Sequence, residues 1–187
     1  MVACTSSPVK VNYYVLNTPL DVPSTETNSL VSTQRILIES VKLAEFLRQS
    51  GLVLQYGNNQ LHISNTHRWA EQLSESVPKA LQSKLHQQSA RHHVYLNTES
   101  SIAPADFRLR MRIDRLHASD QGEVIAAGKY HLITENNHQA PAVKDFYFVR
   151  QLTQDGYPHA VAQIDALLGM IAGDIIATIN AEPNSVK

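Results

Sequence analysis

The sequence is poor in cysteine: its single cysteine, Cys4, stands near the start of a chain of 187 residues. One cysteine cannot build an internal disulfide framework, and it cannot supply the paired thiols of a CxxC redox or zinc motif. A free cysteine in a folded domain is usually buried as a small apolar residue. Because polar residues follow Cys4, burial in a core does not explain its position.

Strong net charge and long apolar runs are also absent. The formal net charge of −1 argues against a nucleic-acid binder held mainly by phosphate neutralisation. No uninterrupted apolar run reaches the roughly 18 residues that a membrane-spanning helix needs. The apolar fraction of 43% is ordinary for a globular protein, and at this length it predicts one domain with a buried core.

Motifs for the common catalytic chemistries are missing as well. The sequence contains no GxSxG elbow, no P-loop and no GxGxxG segment that opens a helix. The nine histidines lack the helical pairing beside a glutamate that marks zinc hydrolases, and the adjacent His92 and His93 point to opposite faces of a strand. We therefore predict a protein that is not an enzyme and binds no metal. A metal-dependent hydrolase is the remote alternative.

Strand patterns occupy most of the chain. Alternation of apolar and polar residues predicts strands at 11–16, 34–43 and 93–97, and a hairpin around the turn at 57–59. A single turn of helix, AEFLRQ, is predicted to end at Gly51. Three long strands in succession predict an antiparallel meander with one solvent-exposed face: FRLRMRIDRLHAS, GEVIAAGKYHLIT and AVKDFYFVRQL.

Two amphipathic helices are predicted. The first begins at Arg68, has an apolar residue at every fourth position, and is kinked or restarted at Pro78. The last carries an apolar stripe over 157–179, and its Gly169 and Gly173 are expected to permit close approach to the sheet. The predicted fold class is α+β, an antiparallel sheet with both helices packed on one face.

A row of cations is predicted on the first meander strand. Arg108, Arg110 and Arg112 alternate with apolar residues and therefore share one face. Guanidinium groups on that face can bind phosphate headgroups or an acidic protein, which makes the row a candidate partner-binding site. Alternatively, the face is solvated and its arginines pair with Glu123 or Asp145 on neighbouring strands.

The string HRWAEQL is the most distinctive short segment. A tryptophan that opens an amphipathic helix is usually a core anchor, which predicts that Trp69 is buried. Arg68 and Glu71 have the spacing of a surface ion pair on a helix. These three residues are therefore predicted to form a structural motif.

The opening residues resemble the end of a bacterial lipoprotein signal peptide. In Val2-Ala3-Cys4, the cysteine would become the mature N-terminus and carry acyl chains, each buried CH2 contributing about 0.8 kcal/mol. No charged and apolar leader precedes Ala3. Either such a leader has been removed, or the match is accidental.

Together these segments resemble the ABC-type transport auxiliary lipoprotein family. The resemblance lies in the cysteine, YYVL, the RWAEQL segment, ILIESVKLAEFLRQSGLVLQYGNNQL and the closing AVAQIDALLGMIAGDIIATI. The chain departs from the family at Ala44, where proline is frequent. That difference affects only a helix start.

The resemblance implies a periplasmic lipoprotein, held at the outer membrane by a lipid on Cys4, with no other cofactor. It implies docking to the periplasm-spanning MCE-domain protein of a phospholipid transport system, and through it to the inner-membrane partner. It also implies a homo-oligomeric ring. Thr5, which is not aspartate, favours sorting to the outer membrane.

The domain organisation predicted on this basis has three parts. Residues 1–10 form a lipidated tether, 11–182 form one domain, and 183–187 form a disordered tail. An alternative function is that of a periplasmic carrier, which holds an acyl chain in an apolar gap between the helices and the sheet.

Overall fold

A computed structural model of the chain describes residues 9–16, 34–89, 91–98, 104–135 and 140–181. Within these residues the chain forms one eight-stranded sheet, two α-helices and a short 3-10 helix at Glu45–Arg48. The predicted α+β class is confirmed. The elements in chain order are β1 Asn12–Tyr14, β2 Gln34–Leu43, β3 Gly51–Tyr56, β4 Gln60–Trp69, α1 Leu73–Gln88, β5 His92–Leu96, β6 Phe107–Ser119, β7 Glu123–Thr134, β8 Ala142–Gln151 and α2 Tyr157–Ala181.

Strand β6 is the centre of the sheet. On one side it pairs antiparallel with β7, which pairs antiparallel with β8, as the meander prediction required. On the other side it pairs parallel with β2 and, further along, with β3. Strand β5 is parallel to β2, β4 is antiparallel to β3, and β1 is parallel to β4. The sheet is therefore mixed, and the prediction of a wholly antiparallel sheet was wrong, because alternation reports the faces of a strand and not its direction.

A β-bulge changes the inward face of β6. Up to Ile113 the odd-numbered residues are buried under the helices, as predicted. The register with β7 shifts between Ile113 and Arg115, and Leu116 and Ala118 then point inward. Beyond the bulge, Ala118 and Ser119 pair with Leu54 and Gln55 of β3.

Helix α1 begins later than predicted. Arg68 and Trp69 belong to the end of β4, where the Trp69 amide donates a hydrogen bond to the Ser50 carbonyl at 2.8 Å. Trp69 is buried, so its predicted role as a core anchor is confirmed although its place on a helix is not. The helix runs from Leu73 to Gln88 and includes Pro78, so the predicted restart at that residue was wrong.

Two predictions about glycines were also wrong. The short helix ends at Arg48, and Gly51 instead begins β3, where any Cβ would collide with the backbone carbonyl of Ser64 on β4. On α2, nothing lies within 4 Å of a Cβ built at Gly169, and one at Gly173 would meet the Gln88 side chain of α1. Gly169 therefore faces open space and Gly173 faces α1, and neither glycine provides a close approach to the sheet.

Among the helices that the structure describes, α2 has the length and composition of a membrane span. Its most apolar window of 18 residues has a mean hydropathy of 1.6. Half of that window is buried inside the fold. Its apolar stripe packs on the sheet and on α1, which accounts for its composition.

Candidate functional site

The predicted arginine row lies on the sheet face opposite the helices, and each arginine has a carboxylate partner. The closest distances are 2.6 Å from Arg108 to Glu135, 2.8 Å from Arg110 to Glu39 and 2.9 Å from Arg112 to Asp114. The structure thus has the ion-paired arrangement, but with partners other than the predicted Glu123 and Asp145. Glu39 and Asp114 lie at β-bulges in β2 and β6, and Glu135 directly follows the end of β7. The alternating pattern of the sequence does not reveal these positions. Docking by this face stays a prediction.

The residues of the RWAE motif do not pair with one another. The guanidinium of Arg68 donates to Ser50 Oγ at 2.7 Å, and Glu71 forms an ion pair with Lys79 of α1. The predicted ion pair between Arg68 and Glu71 was wrong because Arg68 is on a strand, where the three-residue spacing does not bring side chains together.

The histidines are dispersed, and among the described residues no group of three or more metal-ligand side chains converges. His92 is buried, with Nδ1 at 2.6 Å from Ser89 Oγ and Nε2 at 3.1 Å from Gln34 Oε1. Burial, together with the positive charge of Arg91, lowers the pKa of His92. His93 is exposed on the other face of β5, as predicted.

A second buried histidine lies on the sheet face opposite the helices. His117 directs Nδ1 to the carbonyl of Ala118 at 3.0 Å, and its ring meets that of Phe46 edge-on. Burial lowers the pKa of His117. Both buried histidines are thereby held neutral near neutral pH, which suits a structural role.

An apolar groove opens between the first half of α2 and the β3–β4–β6 part of the sheet. Its volume is about 330 Å³, at the lower end of the range typical of small-molecule sites. None of its lining side chains is charged. The lining residues are Leu47, Leu52, Val53, Leu54, Tyr56, Trp69, Leu73, Leu116, Ala118, Leu152, Gly156, Tyr157, Ala160 and Ile164.

A stack of rings joins β1 to the lining of this groove. The hydroxyl of Tyr14 lies 2.7 Å from Nδ1 of His67, and the His67 ring stacks on that of Tyr157 with centroids 3.9 Å apart. Burial, and then the proximity of Tyr157, raises the pKa of Tyr14. The stack fixes the start of α2 against the edge of the sheet. Sequence reasoning missed it, since its three residues are far apart in the chain.

Strand β1 and the residues on either side of it leave a row of apolar side chains in solvent. These four residues, which we call the β1 row, are between 36% and 73% exposed: Val9, Val11, Tyr13 and Val15. Each of them keeps more than a third of its surface exposed, whereas Leu16 on the opposite face is buried. An uncovered apolar edge of this kind is typical of an interaction surface.

Comparison with models of known protein families shows to which family the chain belongs. Residues 14–176 match the model of the ABC-type transport auxiliary lipoprotein component. The chain belongs to this family. Its curated relatives include the intermembrane transport lipoprotein PqiC of Escherichia coli (strain K12), with 24% identity over 98% of this chain and 94% of the relative. The PqiC of Shigella flexneri matches equally well.

Solved structures support the fold. A crystal structure of an uncharacterized protein superposes with a TM-score of 0.75 at 20% identity, covering 91% of this chain and 99% of the other. The protein XCC0632 from Xanthomonas campestris superposes with a TM-score of 0.66 at 12% identity, covering 88% and 92%. By its family, the chain is an auxiliary lipoprotein of a transport system associated with the cell envelope. Cys4 lies outside the described residues.

Proposed function

We propose that the chain is an outer-membrane-anchored periplasmic subunit of an MCE-type phospholipid transport system, which docks the periplasm-spanning component. The observation that carries this proposal is the family match over residues 14–176. A lipid on Cys4 holds the protein at the periplasmic face of the outer membrane, and the segment up to residue 10 acts as the tether. The body then binds its partner without catalysis, and several copies form a homo-oligomeric ring.

The anchor is tested in a precursor in which a lipoprotein leader precedes Ala3. We expect the parent protein to incorporate labelled palmitate and to fractionate with the outer membrane. Cys4→Ala should abolish labelling and release a folded protein into the periplasm. Thr5→Asp serves as the matched variant, because it keeps the lipid and should shift the protein to the inner membrane. Continued membrane fractionation of Cys4→Ala would contradict the anchor.

The docking role is tested by recovery of the MCE-domain component from detergent extracts with the lipidated protein as bait. We expect both the spanning component and the inner-membrane partner to be recovered. A bait that retains the lipid and the fold but recovers neither component would refute this role.

The apolar groove favours a second candidate function, that of a carrier for a single acyl chain. Its lining is uncharged and lies between α2 and the sheet, where a carrier would hold such a chain. Desolvation of the chain is the driving force, at about 0.8 kcal/mol for each buried CH2.

Filling the groove tests the carrier. Ala160 lines it near the start of α2, whereas Ala177 is exposed on the same helix. We expect Ala160→Trp to abolish retention of a fluorescent phospholipid and Ala177→Trp to leave it unchanged. If the parent protein retains no more lipid than Ala160→Trp does, the carrier function is excluded.

A further inference from the structure

The apolar groove and the strand that follows the N-terminal segment have related directions. The lining of the groove includes Trp69 and Leu73 and reaches Tyr56, which stands beside the turn of the β3–β4 hairpin. Strand β1 is parallel to β4, so its first residue points towards the same hairpin turn. The described chain therefore enters β1 from the end of the sheet at which the groove reaches Tyr56.

Strand β1 is also held close to the groove. The stack of Tyr14, His67 and Tyr157 connects β1 with α2, and its successive ring centroids are 5.8 Å and 3.9 Å apart. Tyr157 itself lines the groove. Cys4 stands five residues before Val9, the first described residue, and five extended residues span at most about 18 Å. An acyl chain that begins at Cys4 thus has the groove within the combined reach of the tether and its own length.

The groove suits one acyl chain and not a whole lipid group. Its lining is uncharged, as a hydrocarbon chain requires, and its volume of about 330 Å³ leaves no room for two or three such chains. The hydrophobic effect drives an acyl chain out of water and into an apolar cavity. Because a short tether makes this entry intramolecular, the chain is present at a high effective concentration.

We propose that the groove binds one acyl chain of the lipid on Cys4 of the same molecule whenever the protein is away from a membrane. A bilayer buries all of the acyl chains together, so insertion into the membrane empties the groove. The groove is then open to a diffusible acyl chain only in the anchored protein. This inference rests on the proposed lipid on Cys4, and it adds a form of regulation to the proposed carrier.

Two features of the sequence make the test specific. Cys4 is the only cysteine, so a maleimide attaches a chain at that position alone, and Trp69, the only tryptophan, lines the groove. The soluble full chain is coupled to a maleimide that carries a brominated chain of palmitoyl length, because bromine quenches tryptophan fluorescence on contact. We expect loss of most of the Trp69 fluorescence at every protein concentration, and no loss with the same chain without bromine. Phospholipid vesicles should restore the fluorescence.

Filling the groove distinguishes this site from others. Ala160→Phe fills it and should abolish the quenching, whereas Ala177→Phe, at an exposed position of α2, should leave the quenching unchanged. Quenching that persists in Ala160→Phe, or that depends on protein concentration, would place the chain elsewhere and overturn the proposal. Unquenched fluorescence in the parent protein, or quenching that vesicles do not reverse, would also overturn it. Circular dichroism checks folding, and Ala118→Leu, on the sheet side of the groove, replaces Ala160→Phe if that variant unfolds.

Failure of this proposal and failure of the anchor give different results, because the chain is attached chemically. Incorporation of palmitate at Cys4 in the cell, together with unquenched Trp69 in the coupled protein, would refute only the occupancy of the groove. Absence of palmitate incorporation would refute the anchor, and the present proposal would fall with it.

Discussion

The hydroxyl of Tyr130 lies 2.8 Å from Oδ2 of Asp174 and 2.7 Å from Oγ1 of Thr178, and so ties strand β7 to α2. Lys144 of β8 reaches the other oxygen of Asp174 at 2.6 Å. Tyr130 is fully buried, and burial raises the pKa of its phenol far above the ordinary value. Both carboxylate oxygens of Asp174 are therefore engaged by side chains of the sheet.

The first prediction follows from this contact. Tyr130→Phe removes the donor and leaves the Asp174 carboxylate with one partner fewer, so we expect a loss of about 1.5–3 kcal/mol in the free energy of unfolding. Urea denaturation measures it. Tyr147→Phe, which removes an exposed hydroxyl, is the matched control and should change stability by less than about 0.5 kcal/mol. Equal effects of the two variants would show that the Tyr130 contact contributes little.

Acid pH should destabilise the protein through its buried histidines. Burial lowers the pKa of both His92 and His117, so below pH 6.5 the unfolded chain binds more protons at these residues than the folded chain does. Their contribution to stability is complete above about pH 6.5 and is lost as the pH falls through the lowered pKa values.

Unfolding midpoints in urea between pH 8 and pH 5 measure this dependence. His117→Gln should flatten the profile, whereas His131→Gln, at an exposed position on β7, should leave its slope unchanged. If stability depends on pH with the same slope in His117→Gln and in the parent protein, His117 does not contribute to the loss of stability at acid pH.

Two glycine substitutions should have opposite effects. A Cβ at Gly128 on β7 would collide with the backbone carbonyl of Arg112 and lie 2.9 Å from Phe146 Cζ, so Gly128→Ala should destabilise by about 1–3 kcal/mol. A Cβ at Gly169 meets nothing within 4 Å, and alanine is the better helix former. Gly169→Ala should therefore stabilise by about 0.5–1 kcal/mol. Thermal unfolding of both variants measures these effects, and a stabilised Gly128→Ala would contradict the packing described for β7.

The face that carries the arginine row can be tested as a docking site by variants that either break or keep the ion pair between Arg110 and Glu39. Arg110→Glu places a second carboxylate beside Glu39, which costs stability in itself. The double variant Arg110→Glu with Glu39→Arg keeps the pair and should recover stability. If the face binds the spanning subunit, both variants should lose recovery of that subunit. Full recovery by the double variant would exclude a role for the Arg110 charge in docking.

Strands β2, β5, β6, β7 and β8 and helix α2 were predictable because their patterns are local. Alternation in FRLRMRIDRLHAS fixes which side chains share a face, whatever the strand later pairs with. The start of α1 was not predictable in this way. Trp69 lies four residues before Leu73, and this spacing suits both the first turn of a helix and the end of the preceding strand. Trp69 belongs to the strand because it pairs with Tyr14 on β1.

By itself, the sequence determined the types of element, the buried face of most of them and the family, since these depend on near neighbours and on the order of motifs. The tertiary structure alone decided the strand directions, the partners of Arg108, Arg110 and Arg112, the apolar groove and the exposed apolar row at β1. Each of these depends on contacts between segments that are far apart in the chain, and no local periodicity carries that information.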